Sequence, residues 1–277
     1  MKLSPFTYIN ANLSDRGITA AKLVEMVSSF AHAQGVTRVD LSDNPIAQGG
    51  ETTDEVYEAT GVEYEEDTTG VHALSTIKVK SLIMRNCELG PKAITALSST
   101  LSKVAVVDIL ANPIGEDGFK TLIELFESTP RIQSMCGVQH GTKAADFSKR
   151  GLKPIDIKII AHELSSSRSM AGVVGVDISG NPISGSENEG SKYSPKWVYD
   201  KDTTGLIALS QSLSSVKSLK MSNCQLGPKA ISELAAALST DATAGLETVD
   251  LSYNRFDPSL LDGIEDKVKL NLIECRA

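Results

Sequence analysis

VKSLIMRNCELGPKAITALSSTLS, residues 79–102, returns as VKSLKMSNCQLGPKAISELAAALS at residues 216–239. The shared cysteines, Cys87 and Cys224, set the displacement at 137 residues (224 − 87). A repeat of this length and likeness points to a chain of stacked copies of one unit, each packed against its neighbours, and not to one globular core.

The repetition has a finer grain. Apolar residues spaced as L-x-x-L-x-L-x-x-(N/C)-x-L recur in VTRVDLSDNPI from Val36, VKSLIMRNCEL from Val79, VAVVDILANPI from Val104, VVGVDISGNPI from Val173, VKSLKMSNCQL from Val216 and LETVDLSYNRF from Leu246. The ninth position reads Asn44, Cys87, Asn112, then Asn181, Cys224, Asn254, and KVKLNLIECRA places Cys275 there again. At the fourth and sixth positions, Val39 with Leu41 or Leu219 with Met221, apolar residues alternate with polar ones as a half-buried strand requires. Behind the strand, Ile94, Leu97 and Leu101, like Ile231, Leu234 and Leu238, are spaced by three and four and share one helix face. Neither the strand face nor the helix stripe is buried until neighbouring units stack. The expected fold is therefore α/β, with a parallel sheet inside a curve and helices outside.

These units are leucine-rich repeats by pattern, and the alternation of Asn-type with Cys-type units, each followed by a segment such as GPKAITALSSTL, resembles the ribonuclease-inhibitor-like class. SMCGV, ADFSKRGL and NCELGPKAI are also similar to motifs of protist proteins in that class. The resemblance implies a leucine-rich-repeat solenoid, a horseshoe of about eight units with a concave parallel sheet and convex helices. It leaves function open, because the class holds ribonuclease inhibitors, Ran GTPase-activating proteins and the sensor arms of NOD-like receptors.

The expected organisation is a single domain over residues 1–277 with two homologous halves, about 1–130 and 131–277. An irregular seam at 131–152 joins them, where ADFSKRGL echoes ANLSDRGI at 11–18. Two rim inserts break the pattern, at 47–67 and 184–202. The first carries Glu51, Asp54, Glu55, Glu58, Glu63, Glu65, Glu66 and Asp67; the second holds the single tryptophan, Trp197, between Tyr193 and Tyr199. Solenoid inserts gather on one face that is often the binding face, and exposed aromatics are common anchors. The alternative is that the aromatics pin the loop to the stack and the acids are simply solvated.

A second candidate surface is the concave sheet. Its outward fifth positions read Asp40, Ile83, Asp108, Asp177, Lys220, Asp250 and Asn271, flanked by Arg38, Arg85, Tyr253 and Glu274. The candidate binding residues are thus Arg38, Asp40, Arg85, Asp108, Asp177, Lys220, Asp250 and Tyr253 on the sheet, with Trp197 and Tyr199 in the insert. Aspartate also belongs to the V-D-L-S pattern itself, so a structural role competes with a binding one.

Catalytic signals are weak. D-T-T-G at Asp67 and Asp202 lacks a phosphate loop and reads as a helix start. The four histidines, His32, His72, His140 and His162, have no nucleophile or ligand partner at useful spacing, and the cysteines form no C-x-x-C. No enzyme activity, cofactor or metal is expected. Four free structural thiols favour a reducing, cytoplasmic setting. A formal charge of −8 speaks against nucleic acid and anionic membrane as partners, and no apolar run reaches the ~18 residues of a membrane helix. The start, MKLSPFTYINANLSDRG, has no apolar signal core. The expected function is a protein interaction scaffold. The runners-up are a GTPase-activating protein using Arg85, Asn86 and Arg38, and the sensing arm of a larger NOD-like protein. KVKLNLIECRA follows the strand pattern with no helix or polar cap after it, which predicts self-association along that edge or continuation of the natural protein.

Overall fold

Val39, Leu41, Leu82 and Met84 are all fully buried, which places the fourth and sixth positions of the repeat inward, as their spacing requires. The computed structural model describes residues 9–32, 36–48, 66–191, 193–240, 243–264 and 266–275. It divides into two compact units, Met1–Gly137 and Val138–Ala277.

In the first unit β1 (Ile9–Asn12), β2 (Val36–Asp40), β3 (Ser81–Ile83) and β4 (Val106–Asp108) form a parallel sheet in chain order. Val39 stands opposite Leu82, and Leu82 opposite Val107, so equal repeat positions face one another across the sheet. Bridges from Val106 to Ser134 and from Asp108 to Cys136 continue the edge. Helices Ala20–His32, Thr69–Ala73 and Pro91–Leu101 connect these strands, and Gly115–Ser128 follows β4. Parallel neighbours need such crossovers.

The second unit repeats the plan. Its strands β5 (Ala144–Asp146), β6 (Gly175–Asp177), β9 (Ser218–Lys220), β10 (Thr248–Asp250) and β11 (Lys269–Asn271) lie in parallel, in the order β11-β10-β9-β6-β5. β7 (Glu187–Asn188) and β8 (Trp197–Val198) pair separately as an antiparallel hairpin. Helices Pro154–Leu164, Thr204–Ser210 and Pro228–Leu238 follow their strands, whereas β10 is followed by a short 3-10 helix, Pro258–Leu261. Ile94, Leu97 and Leu101, and likewise Ile231, Leu234 and Leu238, are buried as their spacing predicts. Both units are leucine-rich-repeat stacks of strand and helix.

One segment departs from expectation. β5 falls inside the stretch read as an irregular seam. Its inward residue is Ala145, 4% exposed, and two alanines give none of the bulky apolar signal by which the other strands announce themselves. β5 is the counterpart of β1: Arg150 and Arg16 stand one residue before a positive-φ glycine, Gly151 and Gly17.

Asparagine at the ninth position ties each unit to the one before it. Asn112 Oδ1 accepts the N–H groups of Cys87 and Leu89 at 2.8 and 3.1 Å, while its Nδ2 donates to the carbonyls of Met84 and Ile109 at 2.7 and 2.8 Å. Asn44, Asn181 and Asn254 repeat the pattern on Arg16 and Ile18, on Arg150 and Leu152, and on Cys224 and Leu226. Backbone groups left over where the chain turns out of a strand are thus paired inside the protein, as burial demands. The cysteines make the weaker version. The Sγ of Cys87 lies 3.1 Å from Leu41 O, and that of Cys224 3.2 Å from Ile178 O, each in the preceding unit.

Candidate interaction surface

Each aspartate at the fifth position ends its strand by accepting the backbone N–H two residues on. The bonds run from Ser42 to Asp40 at 3.1 Å, Ser148 to Asp146 at 2.9 Å, Ser179 to Asp177 at 3.0 Å and Ser252 to Asp250 at 3.0 Å. This turn explains why Asp recurs in the repeat. At Asp146 the Ser148 hydrogen bonds, backbone first, hold the carboxyl below its usual range, with Arg150 and Lys220 adding to the effect.

Three fifth-position aspartates, Asp40, Asp108 and Asp177, have basic neighbours. Arg38 sits 3.6 Å from Asp40, Arg85 3.6 Å from Asp108 and Lys220 3.5 Å from Asp177. Asp250 also accepts from Ser252 Oγ at 2.7 Å and Asn271 Nδ2 at 3.0 Å.

The two sheets differ in what they expose. In the first unit Ser81, Ile83, Asp108 and Leu110 are buried, so Asp108 and Ile83 do not face solvent as the alternation of the strand predicted. Asp108 lies inside, bridged to the Cys136 segment, and a Cβ placed on Gly137 would stand 2.7 Å from its carboxylate. In the second unit the face stays open: Ala144, Asp146, Lys220 and Thr248 are exposed, and Gly175 and Ser218 are half-buried. Between β9, β10 and β11 lies a trough of about 200 Å3 edged by Ser218, Lys220, Thr248, Asp250, Lys269 and Asn271. Tyr253, 58% exposed, holds a positive φ of 61° on the loop that follows β10.

The second insert is the β7–β8 hairpin. Glu189 N–H donates to Lys196 O at 2.9 Å, and Asn188 Oδ1 accepts from Gly190 and Lys196. Lys201 reaches both Glu187 and Glu189, bonds that raise its pKa. At its root Ser184 and Ser186 donate to Gln225 O, at 3.3 and 2.7 Å. Trp197 and Tyr199, two residues apart, stack with ring centroids 6.1 Å apart and planes at 20°. Trp197 remains 44% exposed and Tyr193, near the tip, 94%. Tyr199 lies against Gly227, where a Cβ would come within 2.6 Å of its own Cβ. One aromatic of the pair is therefore seated at the stack and the other shows its surface.

Sequence reading missed how the inserts end. The helices Pro91–Leu101 and Pro228–Leu238 begin with Gly-Pro and have no side chain of their own to cap them. The preceding unit supplies one. Glu66 accepts from Lys92 and Ala93 N–H at 3.1 and 2.7 Å; Asp200 accepts from Gly227 and Ala230 N–H at 2.9 and 3.1 Å. A carboxylate at a helix N-terminus satisfies unpaired N–H groups and complements the helix dipole. Gly90 and Gly227 leave it room, since a Cβ at either would lie 2.4–2.6 Å from that carboxylate. Helix Pro154–Leu164, with no insert before it, uses its own Asp156, which accepts Lys153 N–H at 2.8 Å. Asp67 and Asp202 of D-T-T-G bond Thr69 and Thr204, as helix starts. The other acids of the first insert, Glu51 to Glu65, lie outside the described residues.

Cys87 and Cys224 are buried, and desolvation pushes both thiols up to about 12. Cys275, half-buried, is raised by the same cause. Cys136 is also buried and in no disulfide. Among the described residues no cluster of His, Cys, Asp and Glu fits a metal ion, and no helix is long and apolar enough to cross a membrane. His72 and His140 are exposed and His162 is half-buried. At β11 the inward residues Leu270 and Leu272 are only half-buried, and Ile273 is 61% exposed.

The repeat register, the asparagine ladder and the parallel sheets define a leucine-rich-repeat protein. No known family model matches the chain, and no curated protein does. Among solved structures it is similar to the leucine-rich repeat-containing protein LegL7 from Legionella pneumophila, at 18% identity over 96% of this chain and 83% of that one, with a TM-score of 0.44. It is also similar to an internalin, InlF, from Listeria monocytogenes, at 15% identity over 94% of this chain, with a TM-score of 0.34. The match spans 58% of that internalin.

Proposed function

We propose that the chain is a non-enzymatic scaffold that binds a protein partner through the open strand face of its second unit and the adjoining hairpin. The observation that carries this reading is the contrast in exposure: Ile83, Asp108 and Leu110 are closed off in the first unit, while Lys220, Tyr253, Trp197 and Tyr193 are open in the second. A half-exposed tryptophan stacked on Tyr199 is an aromatic anchor of the kind that dominates protein interfaces. Of the candidate residues, Asp177, Lys220, Asp250, Tyr253, Trp197 and Tyr199 stay in the proposed surface. Arg38, Asp40, Arg85 and Asp108 are assigned to holding the first unit together. Arg38 and Arg85, which the GTPase-activating reading needs, are engaged by Asp40 and Asp108. In this reading the protein is a ribonuclease-inhibitor-like repeat of the protist type, one domain of duplicated halves near 1–130 and 131–277 with inserts at 47–67 and 184–202, working in the cytoplasm. Affinity capture from native lysate, with and without the two inserts, tests it. A partner lost with the 184–202 insert supports the reading, and a partner indifferent to both inserts opposes it.

The half-exposed Leu270 and Leu272, with Ile273, favour a second contact: association of another copy along β11, which among the described residues pairs with no strand but β10. Light scattering over a concentration series tests this, and a mass that stays at one chain throughout rules it out.

A further inference from the structure

We infer that Ser194, at the tip of the β7–β8 hairpin, is a phosphorylation site for a proline-directed serine/threonine kinase. Such an enzyme needs a hydroxyl followed by proline in a segment that enters its cleft extended. Two described positions carry that dipeptide, Ser194-Pro195 and Thr129-Pro130. Sequence does not separate them; structure does.

Residues 193–197 form five consecutive exposed positions, with Ser194 in their midst. Pro195 biases Ser194 towards extended backbone. The segment is held lightly: among the described residues, Ser194 N–H bonds only within the tip, to Ser191 O and Oγ at 3.2 and 3.1 Å. Each of the two hairpin strands is two residues long. A two-stranded hairpin this short opens at small cost. Thr129 is tied down instead. It closes the helix Gly115–Ser128 by donating to Phe126 O at 3.3 Å, and its own carbonyl accepts Ile132 N–H at 3.1 Å. Ile132, three residues on, is 1% exposed, and Phe126 2%. Presenting Thr129 to a kinase would pull both from the core.

The step is ordinary phosphoryl transfer. Ser194 Oγ attacks the γ-phosphorus of a nucleoside triphosphate and forms the new O–P bond as the bond to the bridging oxygen breaks. The hydroxyl proton passes to the kinase's carboxylate base, and the nucleoside diphosphate leaves. The product carries about −1.5 to −2 charges at neutral pH. Lys196 is a neighbouring cation, with its side chain 76% exposed and a loose 3.8 Å pairing to Glu189. The phosphate draws Lys196 from Glu189 and places anionic charge beside Tyr193 and Trp197. The site stands whatever the hairpin binds.

The test is incubation of the full, folded chain with a purified proline-directed kinase and Mg-ATP, read by tandem mass spectrometry. The expected result is phosphate on Ser194, abolished by Ser194→Ala, with Thr129 labelled at least tenfold more slowly until the chain is unfolded. Labelling of native Thr129 as fast as Ser194, or a native Ser194 that stays unlabelled, overturns the inference.

Discussion

Asn112 spends both ends of its amide, accepting from two backbone N–H groups and donating to the carbonyls of Met84, Ile109 and Leu110. Truncation leaves buried groups unpaired, at ~1–3 kcal/mol for each group stranded. Asn112→Ala is therefore expected to cost ~3 kcal/mol or more in a denaturant melt. Asn112→Asp should be no milder, because a carboxylate oxygen then faces three carbonyls. The thiols show the same logic in weaker form. With Cys87 and Cys224 pushed up to about 12 by burial, the folded protein at pH 8 should resist thiol reagents at both, while the unfolded, non-reduced chain yields four free thiols. The sign of the linkage follows. The thiols ionise more readily unfolded, so their contribution is complete below the ordinary thiol value of 9.0 and is lost as pH rises from there to about 12. A Cys87→Ala, Cys224→Ala variant should show a shallower loss of stability over that window.

At the scale of elements, the helix starting at Pro228 is capped by Asp200 from the preceding insert. Asp200→Ala should cost ~1–2 kcal/mol, as lost N-caps do, with the loss seen in the melt followed by circular dichroism. Leu219→Ala, at a fully buried position, should cost ~2–5 kcal/mol. Asp177→Ala removes one turn bond and one partly exposed ion pair and should stay near ~1 kcal/mol or below. Equal costs would mean the inward and outward registers are misplaced. Most of this architecture could be read from the sequence. Leu219 and Met221 announced the strand by period two, Ile231, Leu234 and Leu238 the helix, and Asn254 the loop. β5 escaped because Ala144 and Ala145 carry too little apolar bulk. Glu66 and Asp200 escaped because a cap supplied by another unit leaves no local signature: Gly-Pro names the helix start and not what satisfies it. The burial of Ile83 and Asp108 was equally hidden, since alternation along one strand says which way a side chain points but not what lies over it.

For the molecule, the two units share one construction and present different surfaces. The first closes its sheet face over Ser81, Ile83 and Asp108; the second leaves β5, β6, β9 and β10 open and adds a hairpin carrying Trp197. The shared parts follow from stacking, which requires the ladder of Asn44, Asn112, Asn181 and Asn254. The divergent parts are where recognition is proposed. The candidate residues were legible only by type, as acids on a sheet and aromatics in an insert; which of them remain available depends on burial and pairing. The most direct measurement is hydroxyl-radical footprinting of the chain alone and with the partner retrieved by affinity capture. The account predicts protection of Tyr193, Trp197 and Tyr253 with little change across residues 38–110. Protection confined to 38–110, with the three aromatics as reactive as in the free chain, would contradict it.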